Sequence, residues 1–141
     1  MTGHDQAALA AQLQSWSESL ESKQPQTVLA EAIGRYAPRI VLACSFGAED
    51  VVLVDMIQRI SPSVPLFYLD TDFLFAETYE TRDRIIERYG LQPGQVIQVK
   101  SPLTPEQQTR QYGEALWSRD PDLCCRLRKV EPLASVLKPF D

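Results

Sequence analysis

The chain has 141 residues, enough for one ordinary domain with a real hydrophobic core. Hydrophobic residues make up 44% and charged residues 23%, which excludes a disordered chain, and a net charge of −5 argues against nucleic-acid or anionic-membrane binding, since both need a basic surface. No apolar run approaches the roughly 20 residues of a membrane helix, residues 1–12 lack the basic-then-apolar pattern of a signal peptide, and three cysteines, two of them adjacent, do not resemble a disulfide framework, so a reducing, cytoplasmic protein is expected.

Residues Asp5 to Ser22 place Leu9, Leu13, Trp16 and Leu20 on one helical stripe. A second short helix is predicted from Thr27 to Tyr36, burying Val28, Leu29, Ala32 and Ile33. These form a helical N-terminal extension over residues 1–36, ahead of an α/β domain over residues 37–141. Arg39 to Ser45 is a short, nearly continuous apolar run, as in a strand buried on both faces of a parallel sheet. A helix that is apolar nearly all round follows from Glu49 to Ile60, then a strand from Val64 to Leu69 with Pro65 near its start. A helix from Phe75 stops at Gly90, and Gln95 to Lys100 is a third strand. Thr104-Pro105-Glu106-Gln107 reads as a capping box with proline at the first helical position. Asp120-Pro121 opens another helix, with Leu123, Leu127 and Val130 as its buried face. This order predicts an α/β sandwich built on a parallel sheet, with ligands at the carboxyl ends of the strands. Ser45 to Asp50, Asp70 to Phe73 and Lys100 to Thr104 are therefore expected to border one site.

Each of these segments has a structural and a chemical reading. Ser45 and Gly47 fit a capped helix start, or a loop whose free amides and positive helix end hold an anion. Glu49 and Asp50 complement the helix dipole in the plainer reading. The loop is not a Walker A motif, because it lacks the glycine spacing and the Lys-Ser/Thr end. Asp70-Thr71-Asp72 precedes Phe73, Leu74 and Phe75; it is either a helix cap at Asp72 with an apolar staple, or a wall for a flat, partly apolar ligand such as a purine. Cys124 and Cys125 are adjacent and would pair only with strain. On a helix Cys125 shares a face with Lys129, and Cys124 with Arg128. With Arg126, these cations favour thiolate, a nucleophile and soft-metal ligand; the alternative is a pair of small buried hydrophobes. Cys44 is expected in the core, His4 on the surface, and Trp16 and Trp117 in the core or an interface.

Three stretches taken together carry a resemblance. They are Ser45-Phe46-Gly47-Ala48-Glu49-Asp50, Leu69-Asp70-Thr71 with Leu74-Phe75-x-Glu77-Thr78-Tyr79, and Cys124-Cys125-x-x-Arg128-Lys129-Val130-x-Pro132-Leu133. In this order they resemble the assimilatory adenylyl-sulfate and phosphoadenylyl-sulfate reductases, over about Thr27 to Leu137, and the adjacent cysteines point to the iron–sulfur branch. The resemblance implies an adenine-nucleotide α-hydrolase-like (PP-loop type) fold. It implies that Ser45, Phe46, Gly47, Ala48 and Glu49 hold the phosphosulfate side of the substrate, and that Leu69, Asp70 and Thr71 border the adenosine. Cys124 and Cys125 become two of the four ligands of a 4Fe–4S cluster, with Lys129 between cluster and substrate. The implied reaction is reductive release of sulfite from adenylyl sulfate or 3′-phosphoadenylyl sulfate. A cysteine thiolate attacks the sulfate sulfur, the nucleotide leaves, and thioredoxin reduces the S-sulfocysteine.

Family members continue past the position of Asp141 with the nucleophilic cysteine and a second ligand pair, so the expectation is an N-terminal portion that is catalytically incomplete alone. Three rivals stand beside it: an ATP-splitting adenylyl transferase, weakened by Phe46 where a glycine is usual; a non-catalytic nucleotide-binding module or one chain of a split enzyme; and Cys124 or Cys125 acting as nucleophile. An unfinished sheet edge favours association into a homo-oligomer.

Overall fold

Leu66–Asp70 forms β2, the middle strand of three, and four of its five residues are buried. The computed structural model describes the backbone of residues 3–140 and the side chains of residues 7–140; the side chain of His4 falls outside them. Leu42–Ala43 (β1) pairs with β2 in parallel, Leu42 opposite Leu66, and Val96–Lys100 (β3) pairs on the other side, Leu66 opposite Val96 and Asp70 opposite Lys100. The sheet is thus parallel, in the order β1-β2-β3, as the alternation of apolar runs and helices predicts. The run Arg39 to Ser45 contributes only two laddered residues, fewer than expected; the Cys44 amide still donates to the Phe67 carbonyl, and the chain then enters the loop that leads to the next helix.

Among the described residues, six helices frame the sheet before the cysteines. Gly3–Leu20 is α1, Pro25–Tyr36 α2, Ala48–Ile60 α3, Ala76–Tyr89 α4, Pro105–Tyr112 α5 and Leu116–Arg119 α6. The α3 and α4 crossovers bring Val54 and Ile85 onto the face of Leu66 and Tyr68. A second cluster of Ile33, Ile57 and Val64 fixes α2 to α3. The α1 stripe is less buried than its spacing predicts. Leu20 is buried and Trp16 half-buried, edge-on to Tyr36 at 5.9 Å, but Leu9 and Leu13 are 45% and 39% exposed because the first turns run beyond the body. Among the described residues no helix is long and apolar enough to cross a membrane.

Several local expectations hold. The Thr104 hydroxyl accepts from the Gln107 amide while Gln107 accepts from the Thr104 amide, and Asp120 accepts from the Leu123 amide. Gly90 closes α4 in the left-handed conformation. The α4 start differs: Phe75, not Asp72, is its cap residue. The last helix differs more. Pro121–Cys125 (α7) passes into a π-helical turn over Arg126–Val130, then Glu131–Val136 (α8). The Glu131 amide donates to the Arg126 carbonyl, five residues back. Pro132 has no amide for the Arg128 carbonyl, and its ring would press on that carbonyl in an unbroken α-helix, so the widened turn relieves a clash. The extra residue shifts the helical phase. Leu127 stays buried, but Val130 is 53% exposed and Arg128 turns inward at 2% exposure.

Truncating Val54, 1% exposed, to alanine is expected to cost about 2 kcal/mol in urea unfolding. Val52→Ala on the outer side of the same helix, where Val52 is 51% exposed, is expected to cost under about 0.5 kcal/mol.

Candidate active site

The loops after β1 and β2 begin alike, each with a non-glycine residue in the left-handed region, Phe46 at φ 64° and Asp72 at φ 63°. Such backbone costs energy and persists only where side chains hold it. Phe46 is held by burial, its ring centroid 5.3 Å from that of Tyr68. In the same loop the Asp50 carboxylate accepts from the amide and hydroxyl of Ser45, at 2.5 and 2.6 Å, and Ser45 Oγ accepts from the Gly47 amide. Gly47 caps α3, and a Cβ there would meet the Glu49 carboxylate at 3.3 Å, so the Glu49 side chain folds back over the loop.

Asp72 is held by charge. Its carboxylate takes Lys100 Nζ at 2.5 Å and Arg128 Nη1 at 2.8 Å, so the end of β3 and the π-helical turn both close on one residue. Arg128 lies with its guanidinium 5.5 Å from the centre of the Phe73 ring, and its Nε donates to Gln108 Oε1 at 2.7 Å. Its Nη2 is buried and without a hydrogen-bond partner among the described residues. Asp70, 2% exposed, accepts from Tyr79 Oη, the Asp72 amide and Gln98 Nε2. Burial pushes its carboxyl up, but these donors and the nearby Lys100 outweigh that and hold it below the usual 3.8. The bond to Asp70 raises the Tyr79 phenol, and the bond to Asp72 raises the Lys100 ammonium.

Two cavities flank Thr71 and Lys129 at the carboxyl ends of the strands. One, of about 380 Å³, is lined by Ser45, Phe46, Asp50, Leu69, Thr71, Leu74, Thr78 and Lys129, with Cys44 in its wall. The other, of about 430 Å³, is lined by Thr71, Phe73, Trp117, Cys124, Cys125, Arg128 and Lys129. Of the residues expected in the site, Ser45, Phe46, Leu69, Thr71 and Lys129 line the first cavity, and Cys124 and Cys125 line the second. Gly47, Ala48 and Glu49 start α3 beside the first cavity without lining it, and Asp70 lies beneath the loop as an internal anchor. Of the segment Lys100 to Thr104, only Lys100 reaches toward the site, through Asp72. Phe75 is 80% exposed and lines neither cavity.

The cations beside the cysteines divide. Arg128 is taken by Asp72, Arg126 lies 3.6 Å from Glu131, and Lys129 has no carboxylate partner among the described residues. Cys124 is half-buried, Cys125 exposed and Cys44 buried; burial pushes the Cys44 thiol up to about 11. Among the described residues no three or more His, Cys, Asp or Glu side chains are grouped to hold a metal ion. Two thiols on one cavity fit the donor chemistry of an iron–sulfur cluster, which takes four thiolates. Trp117, expected in the core or an interface, is 66% exposed on the cavity rim.

A parallel sheet whose strand-end loops surround adjoining cavities defines an α/β domain with its ligand-binding face at the carboxyl ends of the strands. The model of the phosphoadenosine phosphosulfate reductase domain matches residues 39–141, and the chain belongs to that family. It is 46% identical over 125 residues to the adenosine 5′-phosphosulfate reductase of Halalkalibacterium halodurans, covering 89% of this chain and 53% of that protein. It is 46% identical over 112 residues to adenosine 5′-phosphosulfate reductase 1 of Bacillus subtilis, covering 79% and 47%. The crystal structure of phosphoadenylyl-sulfate reductase from Candida auris, a phosphate complex, superposes with a TM-score of 0.75 at 28% identity, over 86% of this chain and 58% of that one. The chain spans about half the length of the curated relatives it matches.

Two predictions rest on the charged cluster. Asp72→Asn strands the buried Arg128 charge and is expected to cost about 3 kcal/mol in chemical denaturation. Arg128→Met is expected to cost less, because Asp72 is 19% exposed and keeps Lys100. Asp70 titrates lower in the folded than in the unfolded chain, so it stabilises the fold above its usual 3.8 and loses that effect as acid protonates the folded carboxyl. The stability gap between wild type and Asp70→Asn is therefore expected to be full near neutral pH and to close as the pH falls below about 4.

Proposed function

We propose that this chain supplies the nucleotide-binding part of a reductase that releases sulfite from adenylyl sulfate or 3′-phosphoadenylyl sulfate. The observation that carries the reading is the meeting of the two cavities at Thr71 and Lys129, with the β1 and β2 loops on one side and the two thiols on the other. The adenosine takes the first cavity, against Leu69 and Thr71. The phosphosulfate runs past Ser45 to Gly47 toward the first turn of α3, where the helix dipole favours an anion. Lys129 then stands beside the sulfate.

Cys124 and Cys125, which line the second cavity, would be two of the thiolate ligands of a 4Fe–4S cluster. Bound there, the cluster supplies iron and sulfide near the sulfate end of the substrate. The chain's own residues do the rest: Lys129 offsets the charge of the sulfate, and Thr71 spans both cavities. In the reaction a cysteine thiolate bonds to the sulfate sulfur, the sulfur–oxygen bond to the nucleotide breaks, and the nucleotide leaves with that electron pair. Thioredoxin's dithiol supplies two electrons, breaks the S-sulfocysteine bond and frees sulfite in the cytoplasm. The attacking thiolate is assigned to none of this chain's cysteines. Cys44 is buried with its thiol pushed up to about 11, and the other two would be taken up as cluster ligands.

A non-catalytic nucleotide-binding module is the second reading, favoured by the presence of only two thiols at the second cavity. Both readings place the nucleotide in the same cavity, and they part at Lys129. In calorimetric titrations Lys129→Ala is expected to weaken adenylyl sulfate about tenfold and AMP little, the size of one charged hydrogen bond. Equal weakening of both ligands would favour the module, and no binding of either would sink both readings.

A further inference from the structure

We infer that Gln108 is a positioning residue for Cys124, its amide turned toward the sulfur by Arg128. Gln108 sits on α5, 5% exposed, and its Oε1 accepts from Arg128 Nε at 2.7 Å. A guanidinium can only donate. The amide oxygen must therefore face Arg128, which fixes the orientation of a group whose oxygen and nitrogen are otherwise interchangeable. The NH2 group is thereby directed away from Arg128, and its Nε2 lies 3.9 Å from Cys124 Sγ, within reach of a sulfur acceptor. Arg128 cannot swing away to release it. The guanidinium is 2% exposed and held at Nη1 by Asp72, which Lys100 holds in turn.

The consequence is an asymmetric pair of thiols. Cys124 is half-buried with an oriented N–H donor, whereas its neighbour Cys125 is exposed and lies outside this chain of bonds. The chain runs from the loop after β2, which borders both cavities, to one sulfur only. Hydrogen bonds to ligating sulfurs tune a cluster. That purpose rests on the reading of Cys124 as a cluster ligand; the orientation of Gln108 does not.

The test is nuclear magnetic resonance on the reduced, metal-free, 15N-labelled full chain, following the side-chain amide protons of Gln108. Gln108→Glu assigns them by their disappearance, and it keeps an acceptor for Arg128, so the fold is expected to persist. Cys124→Ala is expected to move one of the pair upfield, while Cys125→Ala leaves both in place. Arg128→Met is expected to shrink the response to Cys124→Ala. Indifference of the amide protons to Cys124→Ala, or an equal response to Cys125→Ala, would overturn the inference. In iron-loaded protein, Gln108→Glu is expected to lower the reduction potential without lowering iron content, and an unchanged potential would overturn the tuning role. A chain that takes up no iron counts against the cluster reading alone, because the amide protons are read without metal.

Discussion

A guanidinium taken out of water must be compensated by its neighbours, and in this chain that demand organises the site. Arg128 is almost wholly buried, and burying one charge costs several kcal/mol unless it is paired and hydrogen-bonded. Asp72 supplies the countercharge and Gln108 a neutral acceptor. Each partner brings its own element, so the strand-end loop, α5 and the cysteine-bearing turn are tied to one point. Only its Nη2 is left without a hydrogen-bond partner among the described residues.

The two strand-end loops use different means to the same end. Left-handed backbone at Phe46 and Asp72 costs about 1–2 kcal/mol at each position. At Phe46 the offset is apolar, an aromatic ring seated on Tyr68 in the core. At Asp72 it is ionic, two cations from separate elements. Phe46 takes a left-handed conformation that a glycine would adopt at less cost, while also filling core volume. The loop is thereby fixed rather than pliable, with Ser45 held by Asp50.

The fold was legible because its signals are local. The apolar runs at 39–45 and 64–69, the Thr104 box, the Asp120 cap and Gly90 each act within a few residues; the caps and the Gly90 stop appear as read, and the two runs hold shorter strands at 42–43 and 66–70. The cavity-lining residues of the β1 and β2 loops were also within reach, since a parallel sheet puts its ligands at strand ends. The remaining features depend on distance. Arg128 meets Asp72 across 56 residues and Gln108 across 20, and no spacing rule reaches that far. The inward turn of Arg128 did have a signal in Pro132, whose missing amide argues against an unbroken helix. Reading Leu123, Leu127 and Val130 at a regular helical period passed over it, and Val130 is exposed as a result.

Cys44 gives the site a practical property. Its thiol is buried in the wall of the first cavity and shifted to about 11, so at neutral pH only about one such group in ten thousand carries the reactive thiolate. A thiol reagent applied to the native protein therefore passes over the cysteine nearest the β1 loop. Isotope or fluorophore labels reach only the adjacent pair, and the amount of label taken up measures the occupancy of one corner of the molecule.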